Sequence, residues 1–182
     1  MSDSAGTPHH LVPQPSAWVC RWVSYIPHGG TVLDLACGSG RHALLLARLG
    51  YRVHAVDRDP PALARLAGVA GIITLQADLE AGRWPYEGRS FDGIVVTNYL
   101  FRPLLPVLVS AVAPGGILIY ETFALGNEAY GRPSNPDFLL RPGELLDAVR
   151  GSMRVIAYED LKVDDPKPAM VQRICARRER SR

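Results

Sequence analysis

The chain has 182 residues, 47% of them hydrophobic and 21% charged, with a formal net charge of +2. This suits a single globular domain with a proper core and excludes a disordered chain. So small a charge is no footprint for nucleic acid, and no apolar run approaches the roughly 18 residues of a membrane span.

In chain order, Met1 to Pro15 is polar and proline-bearing, and predicts a flexible arm over 1–15. It lacks the apolar core of a signal peptide, so a cytoplasmic location is expected. Residues 16–182 read as one domain. Ser16 to Ile26 predicts a helix, with Ser16 as N-cap and Trp18, Trp22, Tyr25 and Ile26 on one stripe. The segment 16–30 is either a cover on the sheet edge or a lid whose tryptophans line a pocket. Thr31 to Ala36 predicts the first strand, ended by Gly38 and Gly40. Ala43 to Leu49 predicts a buried helix that Gly50 terminates. Arg52 to Asp57 predicts a second strand. Asp59-Pro60 predicts a capped start for a short helix to Ala67.

Gly71 to Ala77 predicts a third strand closing on Asp78, and Phe91 to Thr97 a fourth. Leu100 to Ala113 reads as a helix starting at Pro103 or Pro106, then Pro114-Gly115-Gly116 as a turn and Ile117 to Thr122 as a fifth strand. A long connection, 123–140, precedes a helix from Pro142 to about Arg150. Met153 to Leu161 and Ala169 to Arg177 are two more strands, too close for a parallel crossover. The tail arginines Arg177, Arg178, Arg180 and Arg182 read as a solvated end. The fold class is therefore α/β: a doubly wound, mostly parallel seven-stranded sheet with a C-terminal antiparallel hairpin and helices on both faces. Cys20, Cys37 and Cys175, without a CxxC pair, predict neither a disulfide framework nor a metal site.

The segment Thr31 to Asp59 (TVLDLACGSGRHALLLARLGYRVHAVDRD) is a strand, glycine turn, helix and strand ending on an acid. Gly38-Ser39-Gly40-Arg41-His42-Ala43 satisfies the dinucleotide pattern GxGxxA, and Asp57 stands where a ribose would lie. Asp34 argues against a dinucleotide. A pyrophosphate at this turn would face its carboxylate and be repelled. S-adenosylmethionine (SAM) brings an ammonium and a sulfonium instead, which a carboxylate attracts. Asp78, ending the third strand, can accept from an adenine amino group.

From about Thr31 to Arg177 the chain resembles the class I SAM-dependent methyltransferases. VLDLACGSG is similar to the first motif of that family, AVDRD to the second, QADLE to the third and FDGIVVTNYL to the fourth. PGGILIYETF is similar to the segment of its fifth strand. GSGRHALLLARLGY is similar to small-molecule members, including the tellurite-resistance group. The resemblance implies SAM as cofactor, with Asp34 anchoring the methionine ammonium. Ala36, Gly38 and Gly40 would let the backbone pass close to the methionyl moiety. Asp57 would accept both ribose hydroxyls, Arg58 flank the adenine, Asp78 and Leu79 read its edge, and Asn98 lie near the methyl group. Ala36 departs from the glycine many members carry.

The expected activity is methyl transfer to a small molecule. A SAM-binding partner or sensor without catalysis, and an NAD(P) oxidoreductase, are the alternatives. Candidate bases are Tyr99, Glu121, Tyr130 and His42. Asn98-Tyr99 lacks the proline pair of amide methyltransferases with an NPPY motif. The long loop after the fifth strand carries Asn127, Tyr130, Arg132, Asn135 and Phe138, which suit a small polar or anionic substrate. Tyr99, Glu121, Tyr130, Arg132 and Asn135 are the candidate substrate residues.

Overall fold

The computed structural model describes residues 14–180, so most of the arm expected over 1–15 lies outside the described residues, as does Arg182. One seven-stranded sheet runs in the order β3-β2-β1-β4-β5-β7-β6. The strands are β1 (Thr31–Leu35), β2 (Arg52–Asp57), β3 (Ile72–Gln76), β4 (Phe91–Thr97), β5 (Val112–Phe123), β6 (Arg154–Val163) and β7 (Ala169–Arg177). The first five pair in parallel; β7 inserts antiparallel between β5 and β6. The mixed sheet and C-terminal antiparallel pair are those expected.

Strand periodicity sends alternate residues to two cores. Val32, Val95, Ile117, Ile119 and Cys175 face α1 (Ala17–Trp22), α2 (Arg41–Arg48) and α3 (Pro60–Ala64). Leu33, Leu35, Ile94, Val96, Leu118, Tyr120 and Ile174 face α4 (Leu105–Ala111) and α5 (Glu144–Val149). No helix among the described residues is long and apolar enough to cross a membrane.

Several boundaries differ from expectation for local reasons. The first helix stops at Trp22 and tightens into a 3-10 turn over Val23–Tyr25. Ser16 caps it, its hydroxyl accepting from the Trp18 and Val19 N–H groups. Asp59 occupies the N-cap of α3 without a side-chain capping bond; Pro60 and Pro61 carry no N–H, which leaves Ala62 as the first donor. The turn expected at Pro114-Gly115-Gly116 lies inside β5. Phe91 pairs with Val112 and Gly93 with Ile117, so three extra residues bulge outward. Arg178 holds that bulge. It bonds the Gly115 N–H and Gly116 carbonyl through its backbone, and the Ser110 and Val112 carbonyls through Nη1. Arg177 stacks its guanidinium 5.9 Å from the Tyr25 ring. These two arginines are thus part of the structure rather than a solvated tail.

The helix α2 ends as Gly50 predicts. Gly50 takes φ 86°, and the Gly50 and Tyr51 N–H groups return to the Ala47 and Leu46 carbonyls. Its burial is one-sided, however, since Leu49 at the C-cap is 44% exposed.

Candidate functional site

Strand order reverses between β1 and β4. Open α/β sheets bind ligands beyond the carboxyl ends of the strands at such a point. A cavity of about 260 Å³ lies there, lined by Ala36, Asp57, Arg58, Ala77, Asp78, Leu79, Glu80, Asn98 and Tyr99. The fold therefore gathers acids and loop residues from the ends of four strands onto one wall.

Asp57 ends β2 and ties the glycine turn to it. Its Oδ2 accepts the Gly38 N–H at 2.8 Å and its Oδ1 the Asp59 N–H at 3.0 Å. A carboxylate has about four acceptor positions, so each oxygen can take one more donor. Asp78 uses Oδ1 alone, for the Glu80 and Ala81 N–H groups at 2.9 and 3.1 Å. Those two bonds hold its carboxyl below the usual aspartate range.

The glycines divide their roles. A Cβ on Gly38 would enter open space, whereas a Cβ on Gly40 would collide with the Leu66 side chain. Gly38 leaves room above the turn. Gly40 serves the packing of Leu66 and the left-handed start of α2, at φ 78°. Among the described residues, only Ala36 (φ 50°) and Asn98 (φ 55°) are non-glycines in the left-handed region. Both stand on the cavity wall, where strained backbone often marks function.

Asp34 is 1% exposed and lies off that wall. Burial pushes its carboxyl up to about 7, against the Ala43 backbone N–H and the Arg41 charge. Its Oδ2 has no hydrogen-bond partner among the described residues. A buried oxygen in that state is out of balance; a cationic group brought beside it would restore the balance, and a pyrophosphate would worsen it. The donors and acceptors present therefore fit an amino acid bearing positive charge joined to a nucleoside.

A second cavity, also about 260 Å³, adjoins the first and shares Glu80, Asn98 and Tyr99 with it. Leu100, Thr122, Phe123, Pro133 and Phe138 complete its wall. The Asn98 N–H bonds the Glu121 carbonyl, and the Tyr120 hydroxyl donates to the Tyr99 carbonyl at 2.7 Å. The Tyr99 hydroxyl is buried without a partner. Burial, then the Glu80 and Asp78 charges, push it far above the ordinary tyrosine range, so it acts as a neutral phenol.

The loop 123–140 roofs this cavity and is clamped at two places. Asn127, 2% exposed, donates to the Pro133 carbonyl and accepts the Met170 N–H. Arg102 donates to the Asp137 and Leu139 carbonyls and to both oxygens of Glu144.

The remaining residues singled out by sequence lie on neither wall. Glu121 points with Ile117 and Ile119 toward α1, where its oxygens take the Ser16 hydroxyl at 2.7 Å and Arg173 Nη1 at 3.2 Å. Its neighbour Thr122 takes the other face, by strand alternation. His42 is buried and pushed down to about 3, by burial first and by Arg41 second. Its Nε2 accepts the Ser16 N–H, so the neutral ring carries its proton on Nδ1 toward Thr97 Oγ1. Tyr130 is 44% exposed under the Lys162 ammonium. Arg132 is exposed, and Asn135 caps a short 3-10 turn by accepting the Asp137 N–H. Trp18 and Trp22 also line neither cavity; Trp18 packs against the sheet and donates to the Ile174 carbonyl, as a cover helix would.

Glu80, Leu100, Thr122, Phe123 and Pro133 were not foreseen. Glu80 had a signal, since it stands two residues beyond the strand-ending Asp78 on the same turn. A larger cavity of about 640 Å³, between α4 and α5, shares no residue with these two and lies off the strand carboxyl ends.

Residues 32–116 match a family model described as a methyltransferase domain. The chain is 36% identical over 104 residues to a protein-L-isoaspartate O-methyltransferase of Chlorobaculum tepidum, across 54% of this chain and 47% of that protein. It is 37% identical over 117 residues to a ribosomal protein L11 methyltransferase of Thiobacillus denitrificans, across 58% and 37%. The chain thus spans less than half the length of these curated relatives. Among solved structures, TehB from Haemophilus influenzae superposes with a TM-score of 0.72 at 22% identity, over 89% of this chain and 61% of that one. A SAM-dependent methyltransferase from Mesorhizobium loti gives 0.68 at 20%, over 89% and 98%. At such identities the solved structures establish a shared fold.

Proposed function

We propose that this chain, whose residues 32–116 match a methyltransferase-domain model and whose fold is shared with a SAM-dependent methyltransferase, transfers the SAM methyl group to a small molecule. The observation that carries this reading is the pair of adjoining cavities with Glu80, Asn98 and Tyr99 in common: one suits an adenosyl group, the other an acceptor.

When bound, SAM supplies an electrophilic methyl carbon, which the acceptor's lone pair attacks in line as the carbon–sulfur bond breaks toward sulfur. The chain's residues hold and align the partners. Asp57 keeps two acceptor positions for ribose hydroxyls. Asp78 keeps Oδ2 for an adenine amino group, beside Arg58 and Leu79. The unpartnered Asp34 Oδ2 answers the methionine ammonium. Ala36 and Asn98 bring backbone to the cavity between these groups. His42, Glu121 and Tyr130 stand off both walls and Tyr99 stays protonated, which leaves Glu80 as the one carboxylate on both walls; the wall's main contribution is alignment and exclusion of water.

The test is titration calorimetry with SAM, followed by transfer of a labelled methyl group. Wild type should bind SAM, and Asp57→Ala should weaken binding at least about tenfold, since hydrogen bonds to a charged group are worth ~1.5–3 kcal/mol each. No SAM binding by wild type, or undiminished binding by the variant, sinks the reading.

A further inference from the structure

The acceptor cavity carries a charge pattern opposite to the one its roof sequence suggests. Its wall is apolar at Leu100, Phe123, Pro133 and Phe138, and among the described residues Glu80 is its one charged member. The adjoining cavity adds Asp57 and Asp78 against Arg58, so acids outnumber bases around the shared wall. Arg132, the cation expected to greet an anion, is exposed and off that wall. Arg102, which holds the roof from outside, has four of its bonds committed to Glu144, Asp137 and Leu139.

We infer that the acceptor is a small apolar amine or thiol, cationic or neutral on arrival, and not an anion; this rests on the methyl-transfer reading above. An anion here would leave water for apolar walls and meet Glu80 with no compensating cation from the protein on that wall. An ammonium gains from the same carboxylate, and a neutral thiol meets no charge penalty. A volume of about 260 Å³ lies below the usual ~300–1,000 Å³ of ligand sites, which limits the acceptor to roughly the size of a benzyl group and its substituent. In the reaction an ammonium first releases a proton to water, and a thiol releases its S–H proton likewise. The freed lone pair then bonds the methyl carbon while the carbon–sulfur pair of SAM goes to sulfur. The products are the methylated amine or thioether and S-adenosylhomocysteine.

Matched probes test this on the full chain loaded with S-adenosylhomocysteine: benzylamine, benzyl mercaptan and benzoate, by titration calorimetry and then as acceptors with labelled SAM. Benzylamine or the thiol should bind at least tenfold more tightly than benzoate, and be methylated in preference to it. Glu80→Gln should narrow the gap between amine and carboxylate at least threefold, and Arg132→Ala should leave the order unchanged. Benzoate binding as well as or better than the others, no probe binding, or an amine-to-carboxylate ratio unmoved by Glu80→Gln overturns the inference while the transferase reading stands on SAM binding. Failure of wild type to bind SAM overturns both.

Discussion

At the scale of single residues, the unusual groups are Asp34 and Ala36. The folded Asp34 carboxyl titrates near 7, above its ordinary value of about 4. Its protonated form therefore supports the ligand-free fold, and that contribution is lost as pH rises from about 4 through 7. A cationic ligand favours the ionised form, so SAM affinity should rise with pH toward 7, by at most about tenfold per unit, and level off above. Asp34→Asn should flatten this profile. Calorimetry from about pH 5.5 to 8 decides it, and equal slopes for the two proteins refute the assignment. Ala36 holds φ 50°, which costs an L-residue roughly 1–2 kcal/mol. Ala36→Gly relieves that strain, less ~0.5–1 kcal/mol of added unfolded-state entropy. The variant should be as stable as wild type or up to about 1 kcal/mol more so in urea unfolding; a clear loss of stability would show that the methyl group has a packing role. The place of Asp57 and Asp78 on the cavity wall was legible because an acid ending a parallel strand lands at the carboxyl edge of the sheet. What Gly40 and Glu121 pack toward, Leu66 and α1, was not legible, because motif spacing is blind to which neighbour a residue faces.

Among elements, the roof of the second cavity has the clearest mechanical design. Its 3-10 turn over Pro136–Phe138 is too short to be stable alone, and Arg102 ties one carbonyl within it, that of Asp137, and the one just past it, that of Leu139, to Glu144 at the start of α5. Arg102→Ala should raise the acceptor KM at least severalfold while SAM affinity stays within about twofold, since Arg102 lines neither cavity. A parallel loss of SAM affinity would mean that the clamp supports the whole strand edge. Burial opposes the Glu144 charge, yet Arg102 and Arg141 hold its carboxyl below the usual glutamate range. A carboxyl depressed in the folded state contributes stability above its unfolded pKa, about 4.3, and loses it as pH falls through the folded value. The clamp therefore loosens only in acid. The loop was legible as functional from its length. That Pro133 and Phe138 face the cavity, while Tyr130 and Asn135 do not, depended on these long-range bonds.

For the whole molecule, the two cores fix a seven-stranded sheet, and the carboxyl ends of its five parallel strands supply both cavities, so ligand binding should report on global stability. SAM at about 100 times its Kd should add ~2.7 kcal/mol, a rise of roughly 5–10 °C in Tm for a chain of this size. NADH should give none; a shift with NADH and none with SAM in a thermal melt would return the glycine turn to the dinucleotide reading. The sequence by itself determined the strand and helix order, the sheet with its antiparallel end and the cofactor class. Each of these follows from local periodicity, from glycine spacing and from the charge of one acid placed four residues before a turn. Tertiary structure alone decided the second cavity. Which face of β5 Glu121 takes, which loop residues form the roof, and that Glu80 lines that cavity while Arg132 does not all depend on contacts between residues far apart in the chain. Such contacts leave no period in the sequence, because they are set by packing and by buried polar groups finding partners across the fold.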